Sequence, residues 1–253
     1  NIGLDSLVFI DDDNMNREMM KEFIPEVTVI DLPKDSSLYV KTLINLNYFQ
    51  SMNITLEDRQ KGKIYAEEKK RRHLANTTMN LTDYLRQLKV SVIFEEANRI
   101  NIPRIAQLTQ KTNQFNMSTK RYTEESITHF ASIDNYEVIA IHVSDKFGDN
   151  GITGLAIIEK DDKNRWRIDS FLLSCRIIGR KVEETLLAFI IQDAKNANIH
   201  ILQGEFIPTK KNKPAEEFYK KSGFKKMKNI KDIQIWEFDL INDFPFPDFI
   251  NYK

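Results

Sequence analysis

The sequence predicts an α/β protein: a C-terminal mixed sheet flanked by helices, preceded by a shorter β-α-β segment and a charged helical stretch. Three observations carry this. Apolar strand patterns alternate with amphipathic helical patterns through the second half, Asn150-Gly151 separates two strand-like runs, and Pro214 and Gly223 bracket a late helix. Of the 253 residues 41% are apolar, enough for cores of real size, and 37 basic residues balance 37 acidic ones. A formal net charge of zero gives no global field to attract nucleic acid or an anionic membrane, so neither is expected as a partner. One cysteine cannot close an internal disulfide, and the sequence shows neither a secretory leader nor a run of about 18 apolar residues. The expectation is a reduced, cytoplasmic protein.

Residues 4–10 read as a strand ending in Asp11-Asp12-Asp13, residues 16–23 as a helix, and residues 27–30 as a second strand closed by Pro33. From 36 to 72 the pattern is helical and charged. Leu38, Leu43, Leu46, Tyr48 and Phe49 are its expected buried positions, and the run from Glu67 to Arg72 reads as a solvated face. A chain that starts at Asn1 and opens on an acidic strand is expected to be the C-terminal part of a longer polypeptide. The polar run Asn76 to Asn80 marks a boundary, giving units at 1–75 and 88–253 joined by a linker at 76–87. Strands are then expected at 89–94, 136–145, 152–159, 168–175, 199–206 and 233–240, with Gly148 to Gly151 as a hairpin turn. Helices are expected at 103–112, at 179–197, and from Pro214 to its C-cap glycine Gly223.

The most informative stretch is 168–187, where a strand enters a basic glycine turn and then a helix. Gly179 lets the backbone approach a ligand, Arg176, Arg180 and Lys181 add positive charge, and the helix start offers free N–H groups to a phosphate. Cys175 stands one residue before the turn. It is either a small core residue or a thiolate favoured by Arg176 and the helix start. Gln110, Asn113, Gln114 and Asn116 follow a helix and either cap it or bind a hydroxylated acyl group. Glu205 shares a strand face with Gln203 and reads as a base or an orienting group, while Asp11, Asp12 and Asp13 form a polar loop suited to capping. His142 and His200 read as ordinary strand residues, and no His/Cys set has metal-ligand spacing.

This element order, the glycine turn and the segment Asn212-Lys-Pro-Ala-Glu-Glu-Phe-Tyr-Lys-Lys-Ser-Gly-Phe224 resemble the GNAT acyltransferase superfamily. More narrowly, the stretches Leu108 to Asn116, Phe147 to Gly151, Phe171 to Arg176 and Glu205 to Thr209 look like the FkbH-like proteins, which join a haloacid dehalogenase (HAD)-type phosphatase domain to a GNAT-like domain. The resemblance implies that a glyceryl unit is taken from a phosphorylated three-carbon donor, bisphosphoglycerate, and delivered to an acyl carrier protein thiol in polyketide-type biosynthesis. It implies that residues 1–75 end a phosphatase domain in which Asp11 and Asp12 help hold Mg²⁺ and Asp13 caps a helix. The nucleophilic Asp-x-Asp of that family has no counterpart here, so phosphatase activity is not expected of this chain.

The resemblance further implies that two parallel strands diverge and that a pantetheine arm, of a carrier or of CoA, lies between them. Arg176, Gly179, Arg180 and Asn212 would then hold the arm and its phosphate. Lys181 replaces the small residue of the family turn, which would crowd a CoA pyrophosphate while admitting the single phosphate of a carrier. Cys175 would carry the acyl group, Tyr219 would act as acid to a leaving thiolate, and Glu205 as base. Gln110, Asn113, Gln114 and Asn116 would meet the hydroxyls of the acyl unit. Two other readings stand beside this one: a CoA-dependent N-acetyltransferase acting on an amine or amino sugar, and a module that only docks a carrier protein.

Overall fold

The computed structural model describes residues 4, 7–46, 48, 61–161 and 164–253. The chain divides into two compact units, Asn1–Lys61 and Gly62–Lys253. The division thus precedes the expected one, and residues 76–87, read from sequence as a linker, lie inside the second unit.

In the first unit a two-residue strand β1 (Val8–Phe9) pairs in parallel with β2 (Thr28–Val29) across helix α1 (Asn14–Phe23). Asp13 caps α1 as expected, its carboxylate accepting from the Met15 N–H at 2.8 Å. The predicted strand 4–10 is shorter than its apolar pattern, and Leu4, Leu7 and Ile10 are exposed; residues 5 and 6 lie outside the described residues. A short helix, α2 (Tyr39–Ile44), leaves Leu38 and Tyr48 exposed rather than buried, and Phe49 lies outside the described residues.

The second unit opens with α3 (Lys61–Thr77) and α4 (Leu81–Leu88), the latter capped by Asn80, whose side chain accepts from the Asp83 N–H at 2.9 Å. Leu85 and Leu88 are buried, which fastens residues 81–88 to the core. Strand β3 (Ser91–Glu96), helix α5 (Ile102–Lys111), the stub β4 (Phe115–Asn116) and helix α6 (Glu124–Ala131) follow. Next come β5 (Tyr136–Asp145), β6 (Gly148–Asp161), β7 (Arg165–Leu173), α7 (Val182–Asn196) and β8 (Ile201–Phe206). The chain closes with α8 (Phe218–Lys221), β9 (Lys225–Ile230), β10 (Ile233–Asp239) and β11 (Asn251–Tyr252).

These strands form one mixed sheet in the order β11-β3-β5-β6-β7-β8-β10-β9, with β4 on the free edge of β7. β3 through β7 are antiparallel neighbours, and the crossover through α7 makes β7 and β8 parallel. Both faces are covered. Leu186, Leu187, Ile190 and Ile191 of α7 pack with Ile139, Ile141 and Val143 of β5, while Ile105 and Leu108 of α5 and Ile127 of α6 cover Val138 and Ala140 on the opposite face.

Asn150-Gly151 does not make the hairpin turn. Lys146 and Phe147 turn the chain between β5 and β6, with the Asp145 carboxylate accepting from the Phe147 N–H at 2.9 Å. Gly151, at φ 69°, instead serves a bulge where the β5–β6 register shifts. The late helix is also shorter than expected: Pro214 starts a 3-10 turn, Lys213–Ala215, and α8 spans four residues before Gly223 closes it at φ 85°. No helix among the described residues is long and apolar enough to cross a membrane.

Candidate acyl-transfer site

The site grows from the point where β7 and β8 part. They pair only from Arg165 with Ile201 to Ile168 with Gly204. At the next residue β7 bulges: Ile157 of β6 faces Ser170 and Ile158 faces Ile168, so Asp169 has no partner on that strand. A bulge bends its strand and re-aims side chains, and here it coincides with the divergence. A mixed sheet with helices on both faces and a diverging parallel pair is the arrangement that the GNAT resemblance implies.

The gap between the diverging strands is filled by the chain itself. Phe115 and Asn116 pair with Leu173 and Leu172, the Met117 N–H donates to the Phe171 carbonyl at 3.0 Å, and the Ile207 N–H donates to the Met117 carbonyl at 2.8 Å. Residues 115–117 therefore bridge both strands. Asn212, fully buried, locks them. Its amide donates to the carbonyls of Asn116 and Ile207, both at 2.9 Å, and its oxygen accepts from the Thr209 N–H at 2.7 Å and hydroxyl at 2.9 Å.

This arrangement corrects several expected roles. An arm lying on the edge of β7 has no free backbone to pair with there, and Asn212 has its polar atoms committed to the bridge. The buried Asn116 donates to the Thr112 carbonyl and accepts from the Thr119 N–H, Asn113 accepts from Arg121 at 2.6 Å, and Gln110 donates to the Tyr122 carbonyl at 3.1 Å. Gln114 is exposed. Gln110, Asn113 and Asn116 thus stabilise the approach to the bridge, a structural role that the sequence left open.

Beside the bulge lies a charge cluster that sequence reasoning missed. Asp169, nearly buried, accepts from Lys120 Nζ at 2.6 Å, the Tyr122 hydroxyl at 2.7 Å and Ser170 Oγ at 3.1 Å. Glu205 accepts from Arg167 at 2.8 Å and Lys120 at 3.2 Å, and Arg167 also bonds Glu159. Burial, then the Asp169 hydrogen bond, holds the Tyr122 hydroxyl well above the ordinary tyrosine range. Both Glu205 oxygens are thus engaged, so its service as a base requires Lys120 or Arg167 to move. An acidic residue at position 169, inside an apolar strand run, was the signal available in the sequence.

Tyr219 is buried with its hydroxyl unpartnered, over the backbone of Gly204 where the strands part; a Cβ on Gly204 would fall 2.6 Å from that hydroxyl. Only glycine permits this approach. Burial, then the charge of Glu205, raises the Tyr219 pKa, so the hydroxyl stays protonated.

β7 ends at Leu173, and Cys175 stands outside it, exposed, in the turn. It is not a core residue. Next to it Arg176 is half-buried, and its Nη1 is buried without a partner. Gly179, at φ 80°, gives the turn its left-handed step. Arg180 does not face a ligand: its side chain is buried against Asp145 at 3.1 Å and Glu68 at 3.2 Å. Lys181 pairs with Glu184. Arg176 thus differs from Arg180, whose guanidinium is committed to two carboxylates.

Glu183, in the first turn of α7, has a buried Oε2 with no partner, and burial pushes its carboxyl up to about 7. Its folded pKa lies above its ordinary value of 4.5, so its contribution to stability is full below about pH 4.5 and is lost as pH rises through about 7. Glu183→Gln is expected to flatten urea-melt stability across that window and to stabilise the protein by about 1–3 kcal/mol at pH 8. A pH profile identical to that of the parent would refute this.

Asp11 and Asp12 do not assemble a cation shell. Asp11 accepts from the Asp13 N–H at 2.8 Å and from Asn16 at 3.2 Å, and the Arg17 guanidinium bonds the carbonyls of both aspartates at 2.8 and 3.0 Å. With both Asp11 carboxylate oxygens bonded inside the loop and both backbone carbonyls taken by Arg17, the pair as placed does not fit Mg²⁺. Among the described residues no group of three or more His, Cys, Asp or Glu could hold a metal ion.

No family model matches the sequence, and no curated protein does. Solved structures similar to part of the chain include an acetyltransferase of the GNAT family from Staphylococcus aureus Mu50, at 16% identity and TM-score 0.46 over 59% of this chain and 99% of that one. The ribosomal-protein-S18-alanine N-acetyltransferase of Escherichia coli is similar at 11% identity and TM-score 0.46, over 59% and 94% of the two chains. A spermidine N-acetyltransferase from Vibrio cholerae is similar at 13% identity, again with TM-score 0.46 over 59% and 94%.

Proposed function

We propose that this chain is an acyltransferase in which Cys175 carries the acyl group, a glyceryl or similar hydroxyacyl unit, between a phosphorylated three-carbon donor and the pantetheine thiol of an acyl carrier protein. The observation that carries this reading is the placement of Cys175: exposed, two residues past the end of β7, in the turn that leads into α7. The thiolate attacks the acyl carbon of the acyl phosphate, the carbon–oxygen bond breaks, and phosphate leaves with its electron pair. The carrier thiolate then attacks the Cys175 thioester, and the Cys175 thiolate is regenerated. Because residues 115–117 fill the gap between the strands, the arm reaches Cys175 from outside the sheet. Mass spectrometry of the protein after incubation with the acyl-phosphate donor is expected to find one acyl adduct, on Cys175; its absence under conditions that load the carrier refutes the relay.

A second reading, CoA-dependent acetylation of an amine, is favoured by Tyr219, whose buried hydroxyl is poised at the divergence with no partner to hold it. The two readings separate on Tyr219→Phe. Removing a buried, unpartnered hydroxyl is expected to leave stability unchanged or raise it by up to about 1 kcal/mol. With Cys175 as the relay, acyl loading of the carrier persists in this variant; a drop of about 10² or more in acetyl transfer from acetyl-CoA to an amine would support the second reading.

A further inference from the structure

Along α3, residues Ala66, Lys69, Lys70, His73, Leu74 and Thr77 recur at helical spacing and, with Phe147, line an open cavity of 580 Å³. The twelve residues from Ala66 to Thr77, eleven rises of about 1.5 Å, give a groove wall roughly 16 Å long, about three turns of helix. Its floor is apolar, from Ala66, Leu74 and the Phe147 ring. Its rim is basic: Lys69, Lys70 and His73 are exposed and carry no ion pair among the described residues, and Lys146 stands 5.0 Å from the Phe147 ring centroid. Two neighbouring charges of the helix point elsewhere. Arg71 faces away, bonded to Asp145 at 2.7 and 3.0 Å, and Glu68 reaches Arg180 at 3.2 Å.

We propose that this groove docks an acidic amphipathic helix of the protein that brings the acyl acceptor, an inference that rests on the carrier-loading reading above. Apolar residues of such a helix fill the floor between α3 and Phe147, and its carboxylates meet Lys69, Lys70 and His73. The complementarity is one of both shape and charge: a concave apolar channel three turns long suits a helix, whereas a bilayer offers no ridge to enter it. The groove is also tied to the chemistry. Asp145 holds Arg71 of the groove helix and Arg180 of the turn that carries Cys175, so a partner seated on α3 is registered against the thiol through one buried carboxylate.

The test uses the whole protein, holo acyl carrier protein as probe, and the double variant Lys69→Glu with Lys70→Glu, whose exposed side chains touch no reacting group. The variant is expected to weaken carrier binding in calorimetry at least about tenfold and to raise KM for the carrier by a similar factor. Its kcat, its acyl adduct on Cys175 and its acyl transfer to a small free thiol, N-acetylcysteamine, are expected to be unchanged. A variant that binds and loads the carrier as the parent does overturns the docking site while leaving the relay intact. Missing adduct in both proteins sinks the relay; the calorimetric comparison still decides the groove. Lysine-dependent binding of anionic vesicles without carrier binding, or lysine-dependent self-association in sedimentation, would assign the groove to a membrane or a second copy and also overturns the proposal.

Discussion

Asp145→Ala is expected to destabilise the protein by about 3–5 kcal/mol, a large fraction of what holds an ordinary domain folded. The Asp145 side chain is fully buried and accepts four hydrogen bonds: two from Arg71, one from Arg180 at 3.1 Å and one from the Phe147 N–H. Both arginine side chains are themselves nearly inaccessible, at 2% and 6% exposure. Removing the carboxylate therefore leaves two desolvated cations to share Glu68, at 3.2 Å from Arg180 and 3.7 Å from Arg71, with the loss of their shortest bonds. The repulsion is already visible in Arg180, whose pKa is lowered by burial and then by Arg71. Urea denaturation followed by circular dichroism measures the loss, and replacing Arg71 and Arg180 in the same background is expected to recover part of it. A loss below about 1 kcal/mol would mean that water reaches the cluster and the clamp is not what positions the turn.

Cys175→Ala is expected to lower acyl loading of the carrier by a factor of about 10³ or more while leaving the melting curve where it was. An exposed residue in a turn contributes little to stability, so the two readouts separate. Cys175→Ser distinguishes a relay from a bystander: the weaker serine nucleophile is expected to accept acyl slowly, if at all, and to release it to a thiol more slowly still, because an oxyester is a poorer acyl donor than a thioester. Loading by the alanine variant at the parental rate, measured by mass of the carrier, would take the relay away from Cys175.

The alternation of strands and helices from Ser91 onward was legible because the sheet is buried on both faces and its strands are continuous apolar runs. Gly179 and Gly223 were legible too, since both occupy the left-handed region at turns that the pattern marks. Other features depend on partners far away in sequence. Phe115-Asn116 carries no strand signal of its own; it becomes a strand because β8 leaves an edge of β7 unpaired. Arg180 looks like a phosphate ligand in a linear reading, and its diversion into Asp145 and Glu68 follows from α3 packing more than a hundred residues earlier in the chain. Asn150-Gly151 misled for a different reason. The turn moved to Lys146-Phe147, where Asp145 already held the backbone, and the glycine was used by a bulge instead. Cys175 could not be decided from an apolar neighbourhood alone, since the strand stops two residues before it.

Residues 115–117 also bear on how the molecule behaves in a crowd. A length of strand left bare inside a sheet is a template on which a neighbour can crystallise its own backbone, the opening step of fibril growth. This chain threads its own peptide into that seam and fastens it with Asn212. Loss of that amide is therefore expected to open the seam and to raise the tendency to self-associate.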